Sequence, residues 1–137
     1  MGNDTSLFQL IEYMLEEYPV RDGVSHPLEI TLKQVVASPV GESLKNWLMW
    51  LLESGKTDLF ADLLELLGRI DPAEIENWYL DVAKAALESS SITVRDAAVS
   101  AIESWSVIFG DRKSLALLQN HHEETPWLRE YIERVCS

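Results

Sequence analysis

Ser91-Ile92-Thr93-Val94-Arg95-Asp96-Ala97-Ala98-Val99-Ser100-Ala101-Ile102 is the stretch that decides how this chain folds. Val94, Ala98, Ala101 and Ile102 recur at helical spacing, so the run reads as a helix buried along one side. Ala97, Ala98 and Ala101 are small enough to let a second helix come close. Such a helix cannot cover its own apolar stripe and must stack against neighbours.

The neighbours are visible as a repeat. A shift of 35 residues sets Leu52-Glu53-Ser54 on Leu87-Glu88-Ser89, and Leu59, Leu63, Leu64, Leu66 and Leu67 on Val94, Ala98, Val99, Ala101 and Ile102. A shift of 34 sets Val94-Arg95-Asp96 on Leu128-Arg129-Glu130, with the linker 89–91 facing 123–125. Self-similarity at this period marks an array of helical hairpins, each a helix, a tight polar linker and a second helix.

On these residues the chain resembles the HEAT repeats, whose second helix carries a Val-Arg pair followed by small and apolar residues, as at Val94-Arg95. Trp127-Leu128-Arg129-Glu130-Tyr131-Ile132 is similar, with bulkier residues where alanines are expected, and the unit before it has Phe60 in place of the arginine. The resemblance covers residues 72–135, extends to 42–70, and stops before 40. It implies an all-α fold, a short right-handed stack of antiparallel helix pairs forming an α-solenoid of about seven or eight helices. One domain over 1–137 is expected, with a divergent cap at 1–40 and repeat units at 42–70, 72–109 and 111–136. The resemblance also implies a structural role for Arg95 and Arg129, bonding acidic or carbonyl groups between repeats.

The remaining segments read locally. Leu7, Leu10, Ile11, Met14 and Leu15 predict a first helix ended by Pro19, and residues 18–27 a loop. Leu28 to Ala37 fits a helix ending before Pro39, although its β-branched residues also suit a strand. Leu44, Trp47, Leu48, Leu51 and Leu52 form a stripe closed by Ser54-Gly55, and a helix from Lys56 or Thr57 runs through Leu67. Asp71-Pro72 predicts a helix start, followed by Ile75, Trp78, Tyr79, Val82, Ala83 and Ala86 on one side. Helices are also expected from Ile92 to Phe109, after Asp111, and after Thr125-Pro126.

Composition bounds function. The 137 residues include 47% hydrophobic and 25% charged side chains, ordinary globular usage. The net charge of −12 is divided evenly, with 5 basic and 11 acidic residues in 1–70 and 6 and 12 in 71–137. An acidic surface repels phosphate backbones and anionic membranes and attracts basic partners. No nucleic acid and no membrane are therefore expected. The longest apolar stretch, Trp47 to Leu52, is far short of the roughly 20 residues that span a bilayer. The N-terminus lacks a basic n-region, and the single Cys136 fits a reducing compartment, so a cytoplasmic location is expected. Met1-Gly2 with Ser6 meets only the loose acylation pattern, without a second basic anchor.

No phosphate loop, nucleophile elbow or His-Glu-x-x-His is present, and no catalytic residue, metal or cofactor is assigned. His121-His122-Glu123-Glu124 gathers metal-binding residue types, but adjacent positions point apart and the segment reads as a solvated inter-helix turn. Cys136 reads as an exposed, mobile thiol near the chain end. Trp47, Trp78 and Trp105 are expected in the core, whereas Trp50 and Trp127 are candidate surface anchors. Asp58, Asp62 and Glu65 share one side of a helix and are candidate binding residues.

The function expected is non-enzymatic binding of a protein partner through a helical-repeat face. A narrower form is an acidic inhibitor or immunity-type protein that neutralises a basic toxin or nucleic-acid-binding protein; the competing reading is a small helical metal- or ligand-binding or enzymatic domain.

Overall fold

A computed structural model describes residues 2–137, with side chains from Thr5 onward; Met1 and the side chains of residues 2–4, where the acylation pattern begins, lie outside it. The described residues form eight α-helices and no strand: α1 Gly2–Glu17, α2 Leu28–Val36, α3 Gly41–Glu53, α4 Thr57–Leu67, α5 Trp78–Leu87, α6 Ile92–Val107, α7 Arg112–Gln119 and α8 Pro126–Cys136. None is long and apolar enough to cross a membrane. The β-branched segment 28–36 is a helix because Leu28, Leu32, Val35 and Val36 all reach the core from it.

Helix ends follow their capping chemistry. Lys56 N–H reaches Leu51 O at 2.9 Å and Gly55 N–H reaches Leu52 O at 3.3 Å, closing α3 around Gly55 at φ 77°, a conformation that costs glycine nothing. The hydroxyl of Ser91 caps α6 through the Val94 amide, and the Asp111 carboxylate caps α7 through the Ser114 amide.

Asp71-Pro72 behaves differently from the expectation. Asp71 accepts from the Ala73 amide, but only a 3-10 turn follows, Pro72–Glu74, and α5 begins at Trp78. Ile75 is extended, at φ −107° and ψ 117°, which breaks the helix while both Pro72 and Ile75 become buried. Burial of two apolar side chains outweighs the local helix signal here. Leu10 is a second departure: it lies at the edge of the α1 stripe and is 51% exposed, whereas Ile11 and Leu15 are buried.

Packing is organised by alternate helices. Besides sequence neighbours, α3 packs on α5 and α5 on α7, while α2 packs on α4, α4 on α6 and α6 on α8; α1 rests on α4. The centre is α4, whose Phe60, Ala61, Leu63, Leu64, Leu66 and Leu67 are all buried. Each such side chain larger than alanine contributes roughly 1.5–3 kcal/mol on leaving water. The α4–α6 contact is tight: a Cβ on Gly68 would lie 2.8 Å from the Ala101 Cα, so only glycine fits. Trp105 closes the same junction. Its indole N–H is shared between Leu67 O at 3.0 Å and Ile70 O at 3.1 Å, and its ring meets Tyr79 edge-on at 5.1 Å.

Candidate functional site

Asp58, Asp62 and Glu65 project from α4, because its apolar residues occupy the inner side and leave these positions outward. Folding adds two carboxylates from elsewhere. Asp96, on α6, and Asp22, in the loop after α1, interact electrostatically with Glu65, and Asp22 also with Asp96. Burial pushes the Asp62 carboxyl up, and Asp58 adds repulsion against a weaker opposite pull from His26. Glu65 is likewise raised by burial and by Asp22, Asp62 and Asp96, with Arg69 opposing. Asp96 is raised by burial and then by Asp22.

Arg69, which acts on Glu65, is already engaged. Arg69 Nη1 donates to Glu29 Oε2 and to Val24 O, both at 2.8 Å, and Nη2 donates to Arg21 O at 2.7 Å. These bonds lay the 21–24 loop across α4 and bring Asp22 to the acidic group. His26 holds the same loop from inside: Leu28 N–H donates to its Nδ1 at 3.1 Å, so Nε2 carries the hydrogen that Tyr18 O accepts at 2.7 Å.

Toward the start of α4, Asp58 and Asp62 face Glu12 and Glu16 of α1 across a surface cleft of about 370 Å³ floored by Leu15 and Leu59. Lys56 lines this cleft, and its ammonium lies 5.4 Å from the centre of the Trp50 ring, a cation–π distance. Trp50 is 50% exposed and thereby adjoins the acidic residues. Trp127 is 52% exposed in the first turn of α8, on a different helix from this group.

The His121–Glu124 segment corrects the solvated-turn reading in part: it is an inter-helix turn with His122 and Glu124 exposed, but His121 is half-buried and Glu123 buried. The Glu123 side chain is 2% exposed and held by Arg95, Nε to Oε1 at 3.0 Å and Nη2 to Oε2 at 3.2 Å. His121 Nε2 lies 2.9 Å from Oε1, and the Thr125 amide donates to Oε2 at 3.1 Å. Arg95 Nη1 also donates to Ser89 O at 3.0 Å, so one guanidinium ties two successive linkers together. Burial would raise the Glu123 carboxyl, but the hydrogen bonds from His121, Arg95 and Thr125 with the Arg95 charge bring it down to about 2. Among the described residues no group of three or more His, Cys, Asp or Glu is placed to hold a metal.

Arg129, at the position matching Arg95, is exposed, and its side chain makes no hydrogen bond or ion pair with the described residues. Phe60, which stands where the first unit lacks the arginine, is fully buried. Trp78 and Trp105 are core residues, and Trp47 is partly buried, stacked on Phe8 at 4.6 Å. Cys136 departs from the expected exposed tail: it is the last residue of α8, partly buried against the core, and burial pushes its thiol up, away from the reactive thiolate.

Crowded carboxylates cost stability. Their folded-state pKa values lie above the unfolded ones, so stability falls as pH rises through them and returns on mild acidification. Asp62→Asn with Glu65→Gln is accordingly expected to stabilise the fold by roughly 0.5–1 kcal/mol at neutral pH, solvent screening limiting the gain. Thermal melts at pH 7 and pH 4 test this; an equal or lower melting temperature for the variant at pH 7 would refute it.

Comparison with known proteins gives no match, whether against family models, curated proteins or solved structures.

Proposed function

We propose that this chain is a non-enzymatic binding module that receives a basic protein partner on the face formed by α4, α6 and the 21–24 loop. The observation that carries the reading is the convergence of Asp22, Asp58, Asp62, Glu65 and Asp96 from three parts of the chain, where Arg69 is engaged by Glu29 and two loop carbonyls and Lys56 lies over Trp50. Carboxylates crowded and partly desolvated in this way gain most from an incoming guanidinium or ammonium group. Nucleic acid is disfavoured by the same charge.

The scaffold reading goes with it. HEAT-like units at 42–70, 72–109 and 111–136 behind a cap at 1–40 are supported by the pairing of α3 with α5 and α7 and of α4 with α6 and α8. Arg95, bonded across two linkers, supports the structural role that the resemblance gives it. Within this reading, an inhibitor that covers the basic, nucleic-acid-binding surface of its target is the narrower form. It is supported by acidity that continues from α4 to Glu12 and Glu16 of α1.

Titration with a fluorescent oligoarginine peptide tests the face. Asp58→Asn, Asp62→Asn and Glu65→Gln together are expected to weaken binding about tenfold or more and to flatten its salt dependence. Glu130→Gln with Glu133→Gln, on α8, serves as the control. Equal losses from both variants would mean that net charge alone attracts the peptide, and the face would have no special role.

A further inference from the structure

We infer that the apolar notch beside the acidic face is the anchor site of a cationic amphipathic segment of the partner. The inference rests on the binding role proposed for that face and assigns the partner's shape. Val107, Ile108 and Phe109, at the end of α6, are 70%, 71% and 38% exposed, and Val24 is 56% exposed. Val24, Ile108 and Phe109 line one cleft of about 310 Å³ with Ser104, Glu29 and Arg69. Val24, Ile108 and Phe109, three adjoining apolar side chains left in water, are a patch, unlike a scattered exposed leucine.

Charge decides what covers it. Arg69, inside the notch, has its charge paired with Glu29 and donates to two loop carbonyls, which leaves it poorly placed to draw an anion there. Asp22 immediately precedes Gly23 and Val24, which line the notch, and joins the acidic group through Glu65 and Asp96. A second copy of this chain would bring a net charge of −12 against −12. A segment with apolar residues on one side and arginine or lysine on the other matches both parts at once: the apolar side enters the notch and the cations face the carboxylates. On α4 and α6 the acidic positions precede the notch along the helix axes, so the segment lies along the α4–α6 seam.

The test uses an arginine/leucine amphipathic helical peptide of about five turns, followed by fluorescence anisotropy, with leucine-to-serine and arginine-to-glutamine peptides for comparison. Val24→Ser with Ile108→Ser should weaken binding about tenfold or more while leaving its salt dependence and the protein's melting temperature unchanged, because both side chains are mostly in water. The leucine-to-serine peptide should show the same loss on the wild-type chain. Asp62→Asn with Asp96→Asn should weaken binding and flatten the salt dependence. If the notch variant binds like wild type while the acidic variant loses affinity, the anchor site is wrong and the acidic face stands. If neither variant changes binding, or if the wild-type chain binds no peptide, both readings fall. Dimerisation that Val24→Ser with Ile108→Ser abolishes would make a second copy the occupant and overturn the inference.

Discussion

Arg95→Met is expected to destabilise the fold by about 3–5 kcal/mol, because it leaves the Glu123 carboxylate buried without its guanidinium. For a chain of this size the loss corresponds to a melting temperature lower by roughly 10–20 °C. Two further measurements separate charge burial from mere loss of a side chain. In Arg95→Met with Glu123→Leu the ion pair is replaced by apolar groups, and most of the stability should return. The pH dependence is the second. Glu123 titrates at about 2 in the fold against 4.5 in the ordinary carboxyl, so its contribution is complete above the ordinary value and is lost as pH falls from about 4.5 toward 2. That contribution is on the order of 3 kcal/mol. Removing Arg95 removes the main positive charge responsible, so wild type and Arg95→Met should converge in stability as the pH is lowered. A loss under 1 kcal/mol at neutral pH, or a gap that stays constant down to pH 3, would show that the pair is incidental.

Trp105→Ala is the other large effect expected, about 3–5 kcal/mol from the lost burial and the cavity it leaves at the α4–α6 junction. Trp105→Phe keeps a ring there but deprives the Leu67 and Ile70 carbonyls of their indole partner, at about 1–3 kcal/mol. Urea titrations should rank wild type above Phe and Phe above Ala, with unchanged slopes. If Phe and Ala were equally destabilised, the hydrogen bond would govern the site and ring burial would contribute little.

Helix content was legible because each apolar stripe repeats at three and four residues, and that period survived even in the β-branched segment 28–36. The caps at Ser91 and Asp111 follow the same local logic. What local sequence could not give is the result of competition at a distance. Asp71-Pro72 carries a helix-start signal, yet burial of Ile75 broke the helix three residues later. His121 to Glu124 looked solvated because its partner, Arg95, is 28 residues away from Glu123.

Three of the five carboxylates of the acidic face were readable in the same way. Asp58, Asp62 and Glu65 share a helix side by spacing alone. Asp22 and Asp96 join them only through the loop that Arg69 pins and through the register of α6 on α4, neither of which leaves a periodic trace. The exposed run Val107 to Phe109 continued the apolar pattern of α6 and gave no sign that it would remain in water.

The contact of Gly68 with Ala101 bears on more than packing. With only the Ala101 methyl beside it, Gly68 lets the two helices approach closely, and this contact sets the spacing between the charges on α4 and α6. If the face binds a basic partner as proposed, it would act as a ruler, graduated before any ligand arrives. A partner whose cations match that spacing loses little entropy in ordering the surface it meets, while one with mismatched spacing cannot be accommodated by a shift of register. Selectivity among basic proteins would then reside in a glycine and an alanine that carry no charge and touch no partner.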